Sequence, residues 1–155
     1  MLITTLGTSH GDATYCRYNT STLIEIGGAS YLVDAGAPVD ALMTRLNKPF
    51  DALRAVFLTH MHDDHAGGLT NLCKAVVKYA PAGRAPMCLY LPEEGAAEAL
   101  CGWLKAMHMD ERMMLNDLVR FTVPADGIVY EDDLLRVTAI LTGHIRPLRD
   151  REVLE

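Results

Sequence analysis

Thr59-His60-Met61-His62-Asp63-Asp64-His65 follows directly on the apolar run 55–58, and it gathers three of the chain's six histidines with two carboxylates. Zinc and its neighbours bind imidazole nitrogen and carboxylate oxygen, so this clustering points to a metal site. A short non-helical turn at a strand end can aim such closely spaced side chains at one point. A helix would send His60 and His62 to different sides. The alternative is a solvated polar loop that happens to be rich in histidine.

Working outward, the flanking segments read as a sheet with helices packed on it. Runs rich in branched residues at 2–6, 21–26, 31–33 and 55–58 carry strand chemistry and are separated by turns such as Gly27-Gly28. Residues 38–46 place apolar side chains at helical spacing. Residues 68–79 do so again, with Leu69, Leu72, Val76 and Tyr79 on one stripe. A buried strand is predicted over 87–91. A helix over 93 to about 108 is predicted to start after Pro92 and to turn Ala97, Leu100, Cys101 and Leu104 inward. Strand chemistry returns at 119–123, 127–130 and 134–141. The class is α/β, a mixed sheet with outer helices, and 155 residues suffice for a single domain spanning 1–155.

Bulk properties narrow the partners. Half of the residues are hydrophobic, the mean hydropathy is +0.10 and the formal charge is −6. There is thus no global electrostatic reason to bind nucleic acid, although a local basic groove would escape that argument. Cys16, Cys73, Cys88 and Cys101 show no Cys-x-x-Cys spacing, and the first residues lack the basic start and cleavage site of a secretory leader. A cytoplasmic location is expected. No apolar run approaches the roughly 20 residues that span a bilayer, so no membrane partner is expected.

The motif His60-x-His62-x-Asp64-His65 resembles the defining motif of the metallo-β-lactamase superfamily. The likeness extends to Leu6-Gly7-Thr8 followed by Asn19-Thr20-Ser21-Thr22, which resembles the opening of the ribonuclease Z and phosphodiesterase-like branches. It includes the strand-end aspartate of Tyr31-Leu32-Val33-Asp34-Ala35-Gly36, and it reaches His144 at the end of a later strand. The resemblance implies an αββα sandwich, here its N-terminal portion only. It implies that His60, His62 and His144 hold one zinc, and that Asp64 and His65 begin a second metal pocket, with one or two ions bound and manganese or iron as substitutes. A zinc-activated hydroxide would then attack an ester-type bond, a phosphodiester by preference, with a β-lactam or a thioester as alternatives. Asp64 would orient the nucleophile. Asp34 and Thr59 would hold the metal turn in shape, a plain strand cap being the alternative for Asp34.

Other residues are weaker candidates. His10 sits on the loop after the first strand and is a substrate contact or an exposed loop histidine. Cys16 is a metal or redox candidate, or a small buried hydrophobe. His108 reads as structural, at a helix end where a cationic ring suits the dipole. Met107, Met109, Met113 and Met114 form either a substrate wall or core filling.

In full-length relatives a second half supplies a bridging aspartate and a last histidine. The segment after His144 contains no histidine, and Asp150 follows too closely to serve as the bridge. The expectation is therefore a domain truncated after the third histidine motif. Its site and its uncovered sheet would be completed by a homo-oligomer or by a separate polypeptide, or else the gene has been shortened. The substrate expected is a small molecule or a phosphodiester. Nucleic acid stays open, since the one local basic cluster is Arg146, Arg149 and Arg151. A metal-binding module without catalysis of its own is the competing class.

Overall fold

The structure, a computed structural model, describes residues 1–12, 14–81, 83–109, 119–122, 125–140 and 142. Two compact units divide the chain, Met1–Val123 and Pro124–Glu155.

The first unit is built on a six-stranded sheet in the order β1-β2-β3-β4-β5-β6, comprising Leu2–Gly7, Ser21–Ile26, Ala29–Val33, Leu53–Phe57, Met87–Tyr90 and Val119–Thr122. The first three strands are antiparallel neighbours, and β3 through β6 run parallel. Gly27 and Gly28 make the tight β2–β3 connection, with φ of 55° and 86°. A two-residue hairpin turn of the matching hand needs positive φ at both positions, and glycine takes it without a Cβ clash. The parallel strands are linked through helices, as parallel pairing requires: α1 (Val39–Arg45), α2 (Asp63–Ala66), α3 (Leu69–Tyr79) and α4 (Ala96–Ala106).

One face of the sheet forms the main core. Leu23, Leu32, Val56 and Leu89, from adjacent strands, pack with Val39, Leu42 and Met43 of α1, Leu72, Cys73 and Val76 of α3 and Leu104 of α4. Each large aliphatic side chain so buried contributes roughly 1.5–3 kcal/mol. The alternate positions Tyr31, Ala55, Phe57 and Tyr90 are buried as well, with the Phe57 and Tyr90 rings stacked 5.0 Å apart. That is why the central strands read as continuous apolar runs and show no two-residue alternation.

The expected elements are present, with local differences. Helix α4 begins at Ala96, behind Gly95 in the left-handed region at φ 81°, and not directly after Pro92. Only Leu104 of its inward set is fully buried, and Trp103 is 60% exposed. Tyr79, placed on the buried stripe of α3, is 55% exposed, because at the last residue of the helix its ring swings out to stack on Phe50 at 5.7 Å. The second unit contains an antiparallel hairpin, β7 (Gly127–Glu131) with β8 (Arg136–Ala139), whose turn is tied by Asp132 accepting from the Leu134 and Leu135 amides at 2.8 Å. His144, Asp150, the basic cluster at 146–151, Met113 and Met114 lie outside the described residues. Among the described residues, no helix is long and apolar enough to cross a membrane.

Candidate metal centre

The parallel strands β3 and β4 end side by side, Val33 opposite Phe57, and the chain leaves both at the same edge of the sheet. β3 runs into Asp34, and β4 runs through Leu58 into Thr59. Asp34 holds a left-handed conformation at φ 59°, its amide donating to the Phe57 carbonyl at 2.9 Å, and its side chain is almost wholly buried. Aspartate tolerates that backbone better than most residues. The metal turn departs from the sequence expectation in one respect: Asp63–Ala66 is a single helical turn with the extended residue His62 at its cap, while Thr59 to Met61 stay non-helical. The non-helical part lets His60 and His62 share a side, and the helical part returns Asp64 and His65 toward them.

One ligand atom from each of His60, His62 and Asp64 falls within 4.8 Å of the others. The His60 ring lies 4.6 Å from that of His62 and 3.9 Å from that of His65, centroid to centroid. Beneath them, Asp34 Oδ1 accepts from the Thr59 amide at 2.8 Å and from its hydroxyl at 2.9 Å, and Oδ2 lies 2.8 Å from His65 Nδ1. These contacts assign protons. His65 Nδ1 donates to the carboxylate, so in the neutral ring Nε2 carries the lone pair. The Thr59 hydroxyl spends its one proton on Asp34, so at 3.1 Å it accepts from His60 Nδ1 and directs the lone pair of His60 Nε2 outward.

The donor set therefore fits a divalent metal ion. His65 Nε2 also faces Asp64 Oδ2 at 3.4 Å, so two electron-rich atoms point at each other unless a proton or a metal lies between them. Asp64 is held below the ordinary carboxylate range, first by the Gly11 amide donating to its Oδ2 at 2.7 Å, a pull that outweighs partial desolvation, and then by the charge of His65.

The Gly11 contact was not foreseen from the sequence, which offers only a glycine beside His10 as a signal. It joins positions 53 residues apart, bringing the loop after β1 onto the metal turn. His10 itself is exposed, one residue from that contact. Gly36 secures the other side, since a Cβ there would run into the Asp64 carbonyl oxygen and lie 2.7 Å from Asn19 Cβ. Cys16, expected as a buried hydrophobe if not a ligand, is exposed on the loop after β1 and is absent from the His-Asp cluster. His108 is exposed just past α4, with φ of 56°.

A half-parallel sheet with helices on its core face and a His-His-Asp cluster at the strand ends is a metallo-β-lactamase fold. Human tRNase Z, short form, superposes with a TM-score of 0.69 at 18% identity, over 86% of this chain and 58% of that one. Zn(2+)-bound PqqB from Methylobacterium extorquens gives 0.57 at 18% identity, over 83% and 51%. Within that superfamily the chain belongs to the family described as Anti-Pycsar protein Apyc1, which residues 1–149 match. Ribonuclease Z of Crocosphaera subtropica is 33% identical over 149 residues, 95% of this chain and 46% of that protein. The chain spans about half the length of the curated relatives it matches, as their N-terminal portion.

Proposed function

We propose that this chain carries the metal-binding half of a hydrolase acting on phosphodiesters. The observation that carries the reading is the approach of His60, His62 and Asp64 ligand atoms to within 4.8 Å at the edge where two parallel strands end. Zinc suits two imidazoles and a carboxylate, with manganese or iron as substitutes, and one or two ions are accommodated. His144, from outside the described residues, is assigned as the third imidazole of the first pocket, and His65 joins Asp64 in the second. A bound ion of this kind supplies Lewis acidity and brings the pKa of water down to about 7.

The chain's own groups do the rest. Asp64, ionised through the Gly11 amide, has Oδ1 left to accept a proton from an attacking water and so orient its lone pair. Asp34 and Thr59 accept from or contact the Nδ1 atoms of His65 and His60, so each neutral ring turns its Nε2 lone pair to the metal side. His10, beside the amide that grips Asp64, is assigned a contact with the substrate. The phosphodiester preference is supported by the ribonuclease names of the relatives and by the Leu6-Gly7-Thr8 and Asn19-Thr20-Ser21 segments. Whether the ester is a small molecule or part of a nucleic acid is an outcome of the substrate assay. The chain is assigned to a homo-oligomer, with 1–155 acting as one domain in the cytoplasm.

The test combines elemental analysis with turnover of bis(4-nitrophenyl) phosphate. Two zinc ions per chain with turnover support the hydrolase, and one tightly held ion without turnover marks a metal-binding module. His60→Ala with His62→Ala should abolish zinc uptake, and full stoichiometry in that double variant refutes the ligand assignment.

A further inference from the structure

The loop between β1 and β2 is unusual in combining a rigid root with a tip of exposed, chemically useful side chains. Its root is tied at both ends. The Ser9 amide donates to the Tyr18 carbonyl at 2.8 Å, the Thr20 hydroxyl donates to the Ser9 carbonyl at 3.0 Å, and the Asn19 amide donates to the Ala37 carbonyl at 3.3 Å. Gly11 then bonds the loop to the carboxylate of Asp64 itself. Beyond that anchor, Thr14 and Arg17 close a tight turn through reciprocal backbone bonds of 3.0 and 3.4 Å. Tyr15 projects fully into solvent and Tyr18 is 39% exposed, and among the described residues no carboxylate pairs with Arg17. None of these three side chains belongs to the buried core cluster.

We propose that Tyr15, Arg17 and Tyr18 are the specificity-determining residues of the metal site, gripping an ester that bears a flat aromatic group. The tyrosine rings stack on that group, and the Arg17 guanidinium pairs with a phosphate oxygen, a planar donor against a tetrahedral anion. Because the loop is pinned to Asp64, substrate held at its tip stays in register with the ligand cluster. In an acidic chain, Arg17 also gives the approach to the site a local positive charge. The inference rests on the phosphodiester reading above and adds to it which part of the ester the protein reads.

The test is equilibrium binding by the zinc-loaded chain of two probes, phenyl phosphate and methyl phosphate, followed calorimetrically without turnover. The parent should bind phenyl phosphate about five- to tenfold more tightly, as one stacking contact implies. Tyr15→Ala with Tyr18→Ala should erase that preference and leave zinc content unchanged, and Tyr15→Ala alone should leave the melting temperature unchanged, since its ring is fully exposed. Arg17→Gln should weaken both probes alike. Equal binding of the two probes by the parent, or a preference that survives the double tyrosine change, overturns the proposal while leaving the phosphodiester reading in place. Failure of the parent to bind either phosphate removes that reading, and the proposal with it.

Discussion

Replacing Asp34 separates its structural from its metal-directing work. The carboxylate is 3% exposed and accepts from the Thr59 amide, the Thr59 hydroxyl and His65 Nδ1. Asp34→Ala leaves those donors facing a cavity, at about 1–3 kcal/mol for each donor that water cannot reach. It also sets alanine at φ 59°, which costs about 1–2 kcal/mol. Thr59 is partly open to water, so the sum is about 3–5 kcal/mol, a large share of the roughly 5–15 kcal/mol that holds a domain folded. Asp34→Asn should cost only about 1–2 kcal/mol, because asparagine tolerates the backbone and still accepts from Thr59. Its effect on metal should be the greater one. An amide nitrogen opposite His65 Nδ1 donates where the carboxylate accepted, so the ring proton moves to Nε2 and turns toward Asp64. Zinc affinity should then fall about 10–100-fold while the fold persists. Urea unfolding of the two metal-free variants, with zinc titration against a competing chelator, measures both effects. An alanine variant within about 1 kcal/mol of the parent, or an asparagine variant with unaltered zinc affinity, would refute the tautomer argument.

Two further outcomes follow from packing. Gly36→Ala should destabilise the chain by about 1–3 kcal/mol and weaken zinc uptake, because the added carbon meets backbone that cannot yield at the metal turn; melting curves and zinc titration check this. Cys16 should react with a thiol reagent at pH 8 in the folded chain and Cys73 should not, since burial pushes the Cys73 thiol up to about 12 from an ordinary 9.0. The unfolded thiol ionises first, so its contribution to stability is complete below pH 9 and is lost as the pH climbs from 9 toward 12. Cys73→Ala should flatten that alkaline decline, and an unchanged slope counts against the burial argument.

Residues 59–65 could be read as a metal turn because all the chemistry lies within one short stretch, and the periodicity of the flanking segments marked strands and helices for the same reason. β2 is predicted and found at 21–26, and the buried side of α3 follows from the spacing of Leu69, Leu72 and Val76. Where a side chain's fate depends on a distant neighbour, local pattern fails. Tyr79 has the right spacing for burial but stacks outward on Phe50, and Cys16 is exposed although cysteine favours interiors.

By itself the sequence determined the ligand types, their spacing and the α/β order, since these depend on residue identity and on period along the chain. Only the tertiary structure decided that β3 and β4 end together, that Asp34 orders the protons of His65 and Thr59, and that the loop after β1 closes onto Asp64 through Gly11. Hydrogen bonds between groups 25 to 53 residues apart form only once sheet pairing has brought the strand ends together, and no local periodicity encodes that distance.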